Sequence, residues 1–148
     1  MSDQCQMPAL IPAISVSDPR ATLEWFEKLG FQTMMTMPLP NGGIAHAHVA
    51  RGDAHIMLGP ACEQYGIGAA GMSLYISIPE SVDELYGRAQ KSGITVSQEP
   101  RDQFWGDRTF EVTHPDGYRL MFSNHVRDVS PEEMQKAVDE WAAAGSPA

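Results

Sequence analysis

The chain has 148 residues, 43% of them hydrophobic, and a formal net charge of −9. That length suits a single domain around one sizeable core, and no apolar run approaches the roughly 18 residues of a membrane span. The acidic balance argues against nucleic acid as a partner, because phosphate binding needs a basic surface; it favours solubility and a field that draws in cations.

The first six residues lack the basic flank and apolar stretch of a secretory leader. Residues 10–16 form a β-rich run. Ser17-Asp18-Pro19 then signals a helix start, with Leu23, Phe26 and Leu29, and Trp25 beside them, as its buried stripe. Gly30 ends that helix. Residues 31–37 return as a strand, broken by Pro38, Pro40 and the Asn41-Gly42-Gly43 turn. Residues 44–51 and 54–58 read as a hairpin around Gly52-Asp53. A Gly- and Ala-rich linker fills residues 60–70.

The same order then repeats. Leu74, Ile76 and Ile78 alternate with Ser73, Tyr75 and Ser77, as in a half-buried strand. A helix starts at Glu80 or Ser81, with Val82, Leu85, Tyr86 and Ala89 buried, and stops at Ser92-Gly93. Residues 94–97 make a short strand and residues 98–106 a loop. His114-Pro115-Asp116-Gly117 turns between two further strands. Phe110, Val112, Leu120 and Phe122 share the core side of these strands, so Met121 points to the opposite face. Ser130 and Glu133 then form a capping box for a tail helix. Its apolar face, Met134, Ala137, Val138 and Trp141, is expected to pack on its own domain or on a second subunit.

Ile14-Ser15-Val16 matches Ile76-Ser77-Ile78, and Leu23 matches Leu85, at an offset of 62 residues. A repeated β-α-β-β-β unit is a whole-fold signal. The expected class is α+β: two paired β-α-β-β-β modules forming a cupped mixed sheet, helices outside, plus a C-terminal helix. Module one spans about 7–59 and module two about 71–124, within a domain of residues 1–127; the helical tail is 128–148.

With this order, Val16-Ser17-Asp18 leading to Trp25-Phe26-Glu27-Lys28-Leu29-Gly30-Phe31, and Pro115-Asp116-Gly117-Tyr118-Arg119, the chain resembles the vicinal oxygen chelate superfamily. That superfamily includes glyoxalase I, bleomycin-resistance proteins and extradiol dioxygenases. His46-Ala47-His48-Val49, Gly52-Asp53 and Ile56-Met57-Leu58 are similar to its PhnB-like group. The resemblance implies a homodimer with clefts in the cupped sheets. It also implies a divalent metal held by His, Glu or Gln from the first, fourth, fifth and eighth strands. Matched by strand pattern, those positions are Ile11, Met57, Ser73 and Met121, which offer no donor that such an ion prefers. A two-residue shift brings His55 inward at the fourth strand.

The resemblance therefore implies a cofactor-free protein that binds a small aromatic or cationic molecule in an apolar cleft. The bleomycin-resistance group carries a similar Trp-Gly before its seventh strand, which places Trp105 and Phe104 at the cleft mouth. A Trp there can stack on a planar cation, or else close the core or an interface. Met57, Met121, Tyr75, Ser73 and His48 are expected to line the floor. The alternative is a metal-dependent lyase, isomerase or dioxygenase with a displaced site of His46, His48 and His55, three imidazoles on neighbouring strands. His114 is expected at the surface. Cys5 and Cys62 have no CxxC partner, so a reducing cytoplasm is the expected location.

Overall fold

The structure is a computed structural model that describes residues 7–68 and 71–145. Cys5, the last two residues of the expected linker and the last three of the tail lie outside those residues. Module one comprises β1 (Ala13–Val16), α1 (Pro19–Lys28), β2 (Gln32–Pro38), β3 (Ile44–Arg51) and β4 (Ala54–Pro60). Module two comprises β5 (Ser73–Ser77), α2 (Val82–Lys91), β6 (Val96–Asp102), β7 (Asp107–Thr113) and β8 (Arg119–His125), and α3 (Pro131–Ala143) follows. The strands form two mixed sheets of four, ordered β1-β4-β3-β2 and β5-β8-β7-β6. The paired modules and C-terminal helix are those expected.

Each helix forms where its caps dictate. Asp18 accepts the Ala21 N–H at 3.1 Å and Pro19 opens the first turn. Ser81 accepts from Asp83 and Ser130 from Glu133 in the same way. Helix α1 lays Leu23, Trp25, Phe26 and Leu29 against its sheet, and α2 lays down Val82, Leu85 and Ala89. They meet Ile14, Val16, Val49, Ile56 and Leu58 in one sheet, and Ile76, Phe110, Val112, Leu120 and Phe122 in the other. Because side chains alternate along a strand, every second residue is left on the opposite face, which carries no helix. We call that face the floor of each sheet.

Two expected boundaries move. Residues 98–102, read as loop, continue β6, and β4 runs on to Pro60, which pairs with Val16. Pro100 is tolerated because β6 is an edge strand, bulged between Gln98 and Arg101. Helix α3 buries none of its residues, and Trp141 is 54% exposed; of the two packings expected for it, the one on its own domain does not occur among the described residues.

The modules are joined at two turns. His114, expected at the surface, is buried at 5% exposure. Its Nδ1 accepts the Asp116 N–H at 3.0 Å, so Nε2 carries the hydrogen and donates to Thr22 Oγ1, also at 3.0 Å. Trp25 packs edge-on against the ring. Asp116 in turn accepts from the Ser17 N–H and hydroxyl, and the Tyr118 hydroxyl donates to the Ser15 carbonyl. At the other turn Arg51 donates to Glu80 and to the Leu29 carbonyl.

Burial holds the His114 pKa below its ordinary value, against the opposing pull of Asp116. The unfolded chain therefore binds more protons than the folded one between the folded pKa and about 6.5. Stability contributed by neutral His114 is complete above that window and is lost as pH falls through it. Thermal melts at pH 8 and pH 5 should show the drop, and His114→Asn should flatten it. A second outcome concerns Gly106, which has φ +101° and lies so close to Arg127 that an added Cβ would meet its carbonyl oxygen at 2.1 Å. Gly106→Ala should cost about 2–4 kcal/mol in denaturant unfolding.

Candidate functional site

The expected site residues separate into two groups, one on each floor. On the second sheet, Tyr75, Met121 and Glu111 are register neighbours across β5, β8 and β7. Adjacent strands lie about 4.8 Å apart, so this row spans roughly 10 Å of backbone. Ser73 pairs with Arg119 one step along. Tyr75 leans toward the far end, where its hydroxyl donates to Asp107 Oδ2 at 2.5 Å. Trp105, in the turn before β7, donates its indole N–H to the same hydroxyl at 3.0 Å. Phe104 meets Trp105 edge-on at 5.0 Å and is 42% exposed. Of the residues expected to line one floor, Tyr75, Met121 and Ser73 lie on this sheet, with Trp105 and Phe104 at its end, whereas Met57 and His48 lie on the other.

The corner is polar as well as aromatic. Asp107 Oδ1 contacts His125 Nδ1 at 3.0 Å, and His125 Nε2 contacts Asp128 at 2.7 Å. The Tyr75 hydrogen bond, with help from His125, outweighs burial and holds the Asp107 carboxyl below its usual value. Burial first, and the bond to Asp107 second, push the Tyr75 phenol up, so it stays a donor. The two flanking carboxylates raise His125. A cleft of about 470 Å³ lined by Arg51, Asp53, Tyr75 and Ser77 shares Tyr75 with this corner.

Glu111 escaped the sequence reading. It is 6% exposed, and Ser97 donates to its Oε1 at 2.8 Å while Thr113 donates to Ser97. The available signal was its place between Phe110 and Val112: if those face the helix, residue 111 must share the floor with Met121. A carboxylate there sets the chemistry of the floor more firmly than the methionine does.

On the first sheet, Met35, His48, Met57 and Ala13 form the corresponding row across β2, β3, β4 and β1. Ala13 is level with Met57, whereas Ile11 lies before the strand begins. His48 is 6% exposed and its Nε2 lies 2.9 Å from His55 Nδ1. Burial lowers the His48 pKa, and the neighbouring His55 and His46 lower it further. His46 shares the floor one step away but does not join the pair. Among the described residues, no three His, Cys, Asp or Glu side chains are placed to hold a metal ion. Level with Met57 and Met121 the paired strands carry Ala13 and Tyr75, so these positions supply apolar, thioether and phenol groups rather than the imidazoles and carboxylates a divalent ion prefers.

The sequence model of the Glyoxalase/Bleomycin resistance protein/Dioxygenase superfamily matches residues 9–122. The chain belongs to that superfamily, and the vicinal oxygen chelate fold is its fold. An uncharacterised protein of Mycobacterium tuberculosis, Rv0887c, is 27% identical over 141 residues, which cover 88% of this chain and 82% of that one. Among solved structures, TioX from Micromonospora sp. ML1 superposes with a TM-score of 0.67 at 24% identity, over 80% of this chain and 99% of that one. The bleomycin resistance determinant encoded on transposon Tn5 gives 0.60 at 18% identity, over 80% and 98%. No helix among the described residues is long and apolar enough to cross a membrane.

Tyr75→Phe removes the strongest support of the ionised Asp107. The Asp107 carboxyl should then titrate at higher pH, closer to its ordinary value, with indole Trp105 losing its acceptor at the same time. Carboxyl and indole NMR signals followed through an acid titration check both.

Proposed function

We propose that this protein binds a small aromatic cation on the floor of its second sheet, as a homodimer in a reducing cytoplasm, without catalysis by a divalent metal. The observation that carries the reading is the row of Tyr75, Met121 and Glu111, capped at one end by Trp105 and Phe104. An aromatic face attracts a planar cation, and a shielded carboxylate anchors its charge. Methionine adapts to varied shapes, which suits a permissive pocket. The net charge of −9 steers cations toward it. Sequestration of a toxic compound is the sharpest form of the reading, supported by the fold shared with a bleomycin resistance determinant.

Dimerisation is supported by apolar side chains that the lone chain leaves uncovered outside both floors: Leu39, Val126 and Trp141 are all 38% exposed or more. The free, exposed thiol of Cys62 suits a reducing compartment. The displaced-histidine enzyme has less support, because only two of its three imidazoles meet.

The test is titration with bleomycin and with simple aromatic cations, read by calorimetry and by tryptophan fluorescence. A cation should bind and quench, and Trp105→Phe should abolish the quenching. Glu111→Gln should weaken cations by about 10–100-fold, the worth of one charge-assisted hydrogen bond, and leave neutral analogues of the same shape unchanged. If no cation disturbs Trp105, or if Glu111→Gln affects charged and neutral compounds alike, the reading fails. Sedimentation checks the dimer separately.

A further inference from the structure

The two floors are built on the same frame but carry different chemistry. Where the second has Tyr75, Met121 and Glu111 in a row, the first has Ala13, Met57 and His48, with Met35 continuing the row on β2. Both cross-strand neighbours of His48 on this face are thus methionines. The fourth group is His55, whose Nδ1 lies 2.9 Å from His48 Nε2, with ring centroids 5.0 Å apart. One hydrogen sits between two nitrogens that point at each other. An ion could take that place without other change in the protein's charge: the hydrogen moves to the second nitrogen of its own ring, and both lone pairs then face the ion.

The donor set selects the kind of ion. Borderline divalent ions such as Zn²⁺ want four ligands of nitrogen, oxygen or thiolate type. This face offers two opposed imidazole nitrogens, with Met35 and Met57 at the cross-strand positions on either side of His48, and no third His, Cys, Asp or Glu among the described residues completes a set. Opposed nitrogens suit a two-coordinate ion, and thioethers are ligands for soft, monovalent copper. Access exists on both sides: His55 lines an open groove with Gln32, Met34 and Ala50, and Met57 and His46 line a cleft of about 470 Å³. We propose that His48 and His55, backed by Met35 and Met57, form a binding site for Cu(I). The proposal stands apart from the aromatic-cation reading, which rests on the other sheet.

The test uses the full chain in which both cysteines are replaced, Cys5→Ser and Cys62→Ser, so that free thiols do not bind the metal. Cu(I) alone is titrated without oxygen against a chromogenic chelator. One ion per chain should bind. His48→Asn or His55→Asn should each weaken it by more than about 100-fold, above the 10–100-fold that loss of a supporting group costs. Met57→Leu should weaken it less, and His46→Asn not at all. In case the histidine variants fold poorly, Ag(I) added to the unmutated floor should shift the imidazole nitrogen signals of His48 and His55 and spare His46, His114 and His125. Absence of binding at one equivalent, binding indifferent to His48 and His55, or tighter binding of Zn²⁺ that needs His46 would each overturn the proposal.

Discussion

Both floors depend on how the two halves of the chain are clamped, and that clamp is a neutral histidine. His114 spends one nitrogen holding the turn closed, through the Asp116 N–H, and the other reaching Thr22 in the first module. A charged ring has no acceptor left and fails the first task. The turn it closes aims Asp116 at Ser17 and Tyr118 at Ser15, so three contacts between modules follow from one tautomer. At the opposite joint the same job falls to an ion pair. Burial alone would raise the Glu80 carboxyl, but the Arg51 hydrogen bond and charge outweigh it and keep Glu80 ionised. Its second oxygen is buried with no hydrogen-bond partner among the described residues. A partly buried pair of this kind adds little net stability for the desolvation it costs.

The architecture was legible because each rule it obeys is local. Alternation at Phe110–Val112 and Leu120–Phe122, a Pro-Asp-Gly turn to set the register, and caps at Asp18, Ser81 and Ser130 can all be read from a few neighbouring residues. The misreadings share a different cause. His114 looks like a polar residue beside a turn; only the fold brings Trp25 and Thr22 over it. Residues 98–102 look like loop because Pro100 and its charged neighbours are poor strand formers, yet an edge strand needs hydrogen bonds on one side only. Glu111 was hidden by its core-facing neighbours, although the alternation that hid it also says where it points. The cap at Ser130 marked the start of the tail helix, but its apolar stripe said nothing about what it would meet.

The candidate site was half legible for a related reason. Trp105, Tyr75 and Met121 stood out in the sequence because each is conspicuous on its own or tied to a known strand pattern. That Trp105 and Tyr75 share one hydroxyl hydrogen bond, and that Asp107 and His125 stand behind it, depends on strands far apart in sequence meeting at one end of a sheet. His46 and His48 looked equivalent from their spacing. The cross-strand diagonal separates them, since only His48 reaches His55.

Duplication explains why one chain carries two such unlike surfaces. The core side of each module is constrained by its helix, so Val16, Leu58, Ile76 and Phe122 serve the same purpose twice. The floor side has no helix to satisfy. A substitution there changes what the surface attracts without disturbing the packing beneath it, because neighbouring side chains on a strand point opposite ways. Position by position, Ala13 answers Tyr75 and His48 answers Glu111, while methionine stands between them in both rows. The shared methionine keeps each floor deformable; the residues beside it decide whether the floor presents a negative charge and a ring, or lone pairs of nitrogen and sulfur. Divergence of the two halves is therefore divergence in surface chemistry on a frame that stays the same.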